Sequence, residues 1–120
     1  FARAQANMQA VCTNCHAQPL VDRVYTQADA VVRATNEKVS AAKSVMDSLR
    51  ADGLLTGAPF SRPVEFDYFD LWHYYGRTAK HGAFMGGADF VQWHGNYPIL
   101  RHTVQIQDEA QRLRGEHGSK

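Results

Sequence analysis

Between Leu20 and Asp52, small and apolar side chains recur in alternating steps of four and three: Val21, Tyr25, Ala28, Val32, Thr35, Val39, Ala42, Met46 and Leu49. A repeat of this kind returns one narrow stripe to the same side of an α-helix. It marks a coiled-coil-like helix buried along a seam against one or two partners. At 1.5 Å per residue the rod extends about 45 Å. A compact globule of 120 residues does not cover that length, so the seam implies partner helices outside this chain. The plainer reading is an ordinary long amphipathic helix. Asp52-Gly53 ends it, since glycine most easily takes the left-handed C-cap conformation.

The rest of the pattern is helical too, and the predicted fold class is all-α. Residues 2 to 16 are good helix formers, and Pro19 falls where a first turn tolerates it. Residues 53 to 64 carry glycine and proline punctuation and read as a linker between an N-terminal part (1–52) and a C-terminal part (65–120). A third helix is predicted from Glu65 to about Met85, broken by Gly86-Gly87. Asp89 then caps a short turn through Trp93-His94-Gly95. Pro98 starts a last helix to about Gly115, with Glu109 and Arg112 spaced for a weak pair and a frayed tail to Lys120. No repeat, low-complexity tract or strand is evident.

Just before the long helix stands Cys12-Thr13-Asn14-Cys15-His16. C-x-x-C-H is the covalent attachment site of a c-type haem: two thiols on one tight turn add to the porphyrin vinyl groups, and the adjoining imidazole becomes an axial iron ligand. These are the chain's 2 cysteines, so no larger disulfide framework exists. A zinc site would need two further ligands at recognisable spacing, and a thioredoxin-type pair would need a βαβ context. The alternatives are a local disulfide or two free thiols. The formal net charge of +1, with scattered basic residues, gives no nucleic-acid footprint, and no stretch approaches the roughly 20 apolar residues of a membrane span. Haem attachment of this type implies an exported, oxidising compartment, the periplasm or its equivalent. The first residues are neither an initiator methionine nor an apolar leader, so an export signal is expected elsewhere: the chain is either processed or, the favoured reading, one piece of a longer polypeptide.

A bis-histidine haem needs His16 and one distal partner, yet five more histidines follow: His73, His81, His94, His102 and His117. Four lie between 73 and 102 among Trp72, Tyr74, Tyr75, Phe84, Phe90, Trp93 and Tyr97, rings that suit porphyrin faces. Singly, each histidine is more often a packing or solvent residue. Together they suggest ligands for haems attached on other segments. His117, in the polar tail, is set aside.

The series from Asp67 through Leu71-Trp72-His73, Gly76-Arg77-Thr78-Ala79 and His81-Gly82, then Asp89-Phe90-Val91-Gln92-Trp93-His94-Gly95, together with Cys12–His16 and the long helix, resembles the C-terminal part of the octahaem hydroxylamine oxidoreductase family, which includes hydrazine dehydrogenases and reductive relatives. The resemblance covers nearly the whole chain. It implies homotrimers held by long C-terminal helices, and eight c-type haems per full subunit, seven of them bis-histidine ligated and one an open catalytic haem. Cys12, Cys15 and His16 would carry the last haem, and His73 and His94 would be distal ligands; His81 and His102 match less closely. Oxidising members cross-link a tyrosine to a neighbouring subunit's catalytic haem. Phe90 stands at the matching place and has no phenol oxygen, which tilts the reading toward reductive chemistry; Tyr97 or Tyr74 are the other candidates for that position.

The expectation is therefore a single-haem portion of a multihaem oxidoreductase acting on hydroxylamine, hydrazine, nitrite or nitric oxide in the periplasm or an anammoxosome. It carries an electron-relay haem c and trimer contacts, with a redox-partner cytochrome and the remaining polypeptide or other chains as partners. The catalytic haem would lie elsewhere. The rival readings are a stand-alone monohaem cytochrome, with Met46 or Met85 as distal ligand, and an oligomerisation subunit with an incidental haem.

Overall fold

The computed structural model describes residues 1–119, all of whose regular elements are helical. Six α-helices follow in order: α1 (Ala2–Cys12), α2 (Gln18–Ala51), α3 (Pro63–Phe69), α4 (Gly76–Phe84), α5 (Ala88–Val91) and α6 (Tyr97–Gly118). Two π-helical turns, Asp70–Tyr75 and Gln92–Asn96, join α3 to α4 and α5 to α6. The all-α expectation holds, and the molecule is drawn out to 67 × 27 × 18 Å.

The α2 seam is placed as its spacing requires. Val21, Ala28, Thr35, Ala42, Met46 and Leu49 are buried, with Tyr25, Val32 and Val39 half-buried between them. Its covering differs from the expectation. α3, α4 and α6 of the same chain pack against α2, so the seam itself calls for no outside helix. The chain is not a compact globule: it is stretched along the rod, and its short helices reach the length a sphere would not. One core lies between the C-terminal half of α2 and α6, built from Met46, Leu49, Val64, Leu71, Ile99 and Ile106 among others. Burial of such side chains contributes about 1.5–3 kcal/mol each.

α2 ends in a Schellman arrangement. Gly53 takes φ 72°, its N–H donates to Arg50 O at 3.0 Å, and Leu54 N–H donates to Leu49 O at 2.9 Å, which satisfies carbonyls that would otherwise face the end of the helix. The same device closes α4 at Gly86, φ 68°. The third helix starts at Pro63, ahead of the predicted Glu65, because proline's fixed φ suits the first turn. The Glu65 carboxylate then accepts from the Ser61 and Arg62 N–H groups at 2.9 and 3.1 Å.

Two expectations for the C-terminal part are corrected. Asp89 does not cap: Gly87 is the N-cap residue, and Asp89 lies in the first turn of α5 without a capping hydrogen bond. Nor does a loop separate Trp93-His94-Gly95 from the last helix. Pro98 has no N–H for the carbonyl one turn back, and the backbone widens instead of breaking, with Tyr97 N–H reaching Gln92 O across five residues. The tail is helical to Gly118 rather than frayed from Gly115; Lys120 lies outside the described residues.

Candidate haem-attachment turn and histidine sites

α1 passes to α2 through one tight turn that carries both thiols. Thr13 N–H donates to Gln9 O at 3.0 Å and Asn14 N–H to Val11 O at 3.2 Å; the Cys15 and His16 N–H groups both return to Cys12 O, at 3.2 and 2.9 Å. The Thr13 hydroxyl donates to Ala10 O at 2.9 Å. Ala17 is then extended, φ −67° and ψ 141°, and swings the chain into α2. Cys12 and Cys15 are free thiols, the first half-buried and the second exposed, and His16 beside them is exposed. α1 buries none of its residues. This donor set fits a porphyrin, which asks of the protein two thiols for its vinyl groups and one imidazole for an axial position. Among the described residues no group of three His, Cys, Asp or Glu side chains is placed to hold a bare metal ion.

The remaining histidines lie elsewhere. α4 runs antiparallel to α2: Gly76 sits against Val39 and Thr35, Lys80 Nζ donates to Asn36 Oδ1 at 3.0 Å, and the Phe84 ring meets Tyr25. His73, three residues before Gly76, is therefore far along α2 from the thiol turn. Gln18 to Val39 alone spans about 30 Å at 1.5 Å per residue. His94 lies nearer the middle of α2, because its neighbour Gly95 packs against Ala79 and Asn96 Oδ1 accepts from Lys38 Nζ at 3.1 Å. A metal–imidazole bond is about 2 Å long. His16, His73 and His94 are not gathered around one point, and neither π-turn histidine reaches an iron held at His16.

Each histidine has its own setting. The His73 ring is half-buried, stacked on Phe69 at 4.7 Å and 29° with Trp72 edge-on at 5.0 Å. His94 is exposed and lies against Phe90 at 4.8 Å and 34°. His81 is exposed on α4. His102 is engaged internally: its Nδ1 is 3.0 Å from Asp67 Oδ1, and its ring stacks on Tyr75. Of the methionines, Met46 is fully buried in the core, whereas Met85 is 82% exposed beside the Gly86 turn. Trp72, Tyr74, Phe84, Phe90, Trp93 and Tyr97 also stand exposed.

Sequence reasoning singled out the histidines but missed two partners: Asp67 for His102, and Phe69 for His73. The second was legible. Phe69 precedes His73 by four residues, one helical turn, as Phe90 precedes His94.

The fold has a solved counterpart. One chain of the reducing HAO-like protein complex of Kuenenia stuttgartiensis superposes with a TM-score of 0.84 over 92% of this chain, at 19% sequence identity. That likeness decides the fold. The chain matches 32% of the length of its Kuenenia counterpart, so it has the architecture of about a third of an HAO-like complex chain. No protein-family model matches the sequence, and no curated protein does.

Proposed function

We propose that this chain is a haem-bearing portion of a multihaem c-type oxidoreductase of the hydroxylamine oxidoreductase kind, working on small nitrogen compounds. The observation that carries this reading is the C-x-x-C-H turn at the junction of α1 and α2, set in a fold like that of a reducing HAO-like complex chain. Cys12 and Cys15 would hold a haem c through thioether bonds, and the His16 imidazole would be an iron ligand. A haem so bound supplies a one-electron donor and acceptor, and a second imidazole leaves no coordination place for substrate, which suits relay over catalysis. The π-turn histidines His73 and His94 are offered as distal ligands, with Trp72 edge-on beside the first. Substrate chemistry belongs to an open haem on polypeptide beyond these residues. The absence of a phenol oxygen at Phe90 supports the reductive direction, with nitrite or a similar nitrogen oxide as substrate. The exposed aromatics fit burial against companion chains, in a homotrimer or a mixed complex that passes electrons with a partner cytochrome in an extracytoplasmic compartment.

Intact mass and a pyridine haemochromogen count on the purified assembly test this together. Eight haems per assembled subunit, with companion polypeptide present, is the expected outcome. One haem and no companion chain would leave a simple electron carrier and sink the proposal.

A further inference from the structure

Beside the middle of α2, the second π-turn and the start of α6 enclose a cleft of about 390 Å³. Ile99, 1% exposed, and Leu100 form its apolar side; Lys38, Gln92, Asn96 and Tyr97 form its polar side. The π-turn builds that polar side. Residues five apart in an α-helix point about 140° away from each other. The wider turn, closed by Tyr97 N–H donating to Gln92 O, brings Gln92 and Tyr97 toward one face. Widened turns of this kind recur at functional sites.

The positive charge in this cleft is uncompensated. Lys43, Arg50, Arg112 and Arg114 each meet a carboxylate. Lys38 has no such partner among the described residues: its ammonium donates to the neutral Asn96 Oδ1 at 3.1 Å, and no described carboxylate lines the cleft. That bond uses the acceptor end of the Asn96 amide and leaves its Nδ2 end to donate. The Gln92 amide and the Tyr97 hydroxyl add donors on the same rim, while the Thr103 hydroxyl is engaged with Ile99 O at 2.8 Å. Lys80 makes the same type of bond, to Asn36 at 3.0 Å, but lies outside this lining. It is an interhelical tie without the surrounding donors. One cation, several neutral donors and an apolar wall that lowers the local dielectric together favour a singly charged acceptor, held by charge-assisted hydrogen bonds.

We propose that this cleft binds a small monoanion carrying two oxygens on one atom, a carboxylate or an ion of that shape, between Lys38 Nζ and the donors of Gln92, Asn96 and Tyr97. The anion is either a haem carboxylate or a free ion such as acetate or nitrite. The site stands on the cleft itself; only the first source rests on the haem reading above.

Lysine acylation of the assembled, haem-loaded protein, followed residue by residue by peptide mass spectrometry, tests this with Lys80 as the internal control. If the anion is free, acetate or nitrite slows Lys38 modification saturably and leaves Lys80 unaffected. Gln92→Leu or Tyr97→Phe then raises the half-protecting concentration about tenfold, as loss of one hydrogen bond to a charged group should. If the anion belongs to a haem, Lys38 is protected without additive. Lys38→Met then lowers the midpoint potential of one haem, because the charge removed had favoured the reduced iron, and Lys38→Arg retains the parent value. Lys38 modified as fast as Lys80, with and without added anions, would overturn the inference. So would protection indifferent to added anions when Lys38→Met leaves every potential unchanged, since a companion chain would then be covering the lysine. Protection of Lys38 by acetate or nitrite in a preparation lacking haem absorption would uphold the anion site and sink the haem reading instead.

Discussion

Gly95 shows how closely the histidine-bearing turns are held. A Cβ built on it would stand 2.6 Å from Ala79 Cβ and 2.9 Å from Ala79 Cα, contacts that require the backbone of α4 to move. Gly95→Ala is therefore expected to destabilise the protein by about 1–3 kcal/mol, the usual cost of overpacking, and to disturb the neighbouring His94 spectroscopically. Gly115, inside α6 with nothing within 4 Å of its would-be Cβ, is the control. There, alanine is expected to raise stability by about 0.5–1 kcal/mol, because glycine loses more backbone freedom on folding. Thermal unfolding of the two variants should move in opposite directions. The sequence revealed that Gly95 follows His94 but not what it touches, since its partner lies in another helix.

At the scale of elements, α2 is the most legible part of the chain: every buried position of the helix lies on the stripe that its four-and-three spacing defines. Thr35 is the polar exception on that stripe. It is 1% exposed, and its Oγ1 has no hydrogen-bond partner among the described residues. Removing an unpaired buried hydroxyl relieves a desolvation cost of about 1–3 kcal/mol, so Thr35→Val is expected to be neutral to stabilising by up to about 1 kcal/mol in denaturant unfolding. On α6, the predicted Glu109–Arg112 pair forms, with Arg112 Nε donating to Glu109 Oε2 at 2.8 Å. That guanidinium holds the Glu109 carboxyl below its ordinary value of 4.5. A depressed folded value means the pair stabilises above the ordinary value and is lost as pH falls through the folded one. The melting-temperature gap between parent and Glu109→Gln should be present at neutral pH and close in that acidic window; a gap that persists at low pH would contradict the assignment. The π-turns were not foreseen. A proline in a helical run ordinarily signals a boundary, which hid the turn before Pro98, and the turn at Asp70–Tyr75 has no proline to mark it.

For the molecule as a whole, separation is the governing fact. The thiol turn lies at one end of α2; His94 packs near Lys38, about 30 Å along the helix by its rise, and His73 lies beyond Val39 toward the far end. Replacing both Cys12 and Cys15 with alanine is accordingly expected to lower the covalent haem count by one per chain while leaving the spectroscopic signals of the His73 and His94 sites in place. Haem counting combined with EPR checks this, and loss of the distal signals along with the thiols would show that all three histidines serve one centre. The exposed rings at Trp72, Tyr74, Trp93 and Tyr97 lie away from the thiol turn, Tyr97 near Lys38 and Trp72 near Arg50. Their hydrogen-exchange and fluorescence behaviour should change when the full assembly forms.

By itself, the sequence determined everything carried by local periodicity and covalent chemistry: an all-helical chain, the buried stripe of α2, the glycine stops at Gly53 and Gly86, and a C-x-x-C-H turn suited to haem. These depend on residues within a turn or two of one another, where backbone geometry translates spacing directly into position. Only the tertiary structure decided that the seam is covered by the chain's own α3, α4 and α6, that His102 is taken by Asp67, and that His73 and His94 stand remote from His16. The remoteness of the histidines follows from the antiparallel register of α4 on α2, with Gly76 on Val39, and the other two from the packing of α3 and α6 on each other and on α2, all between residues far apart along the chain.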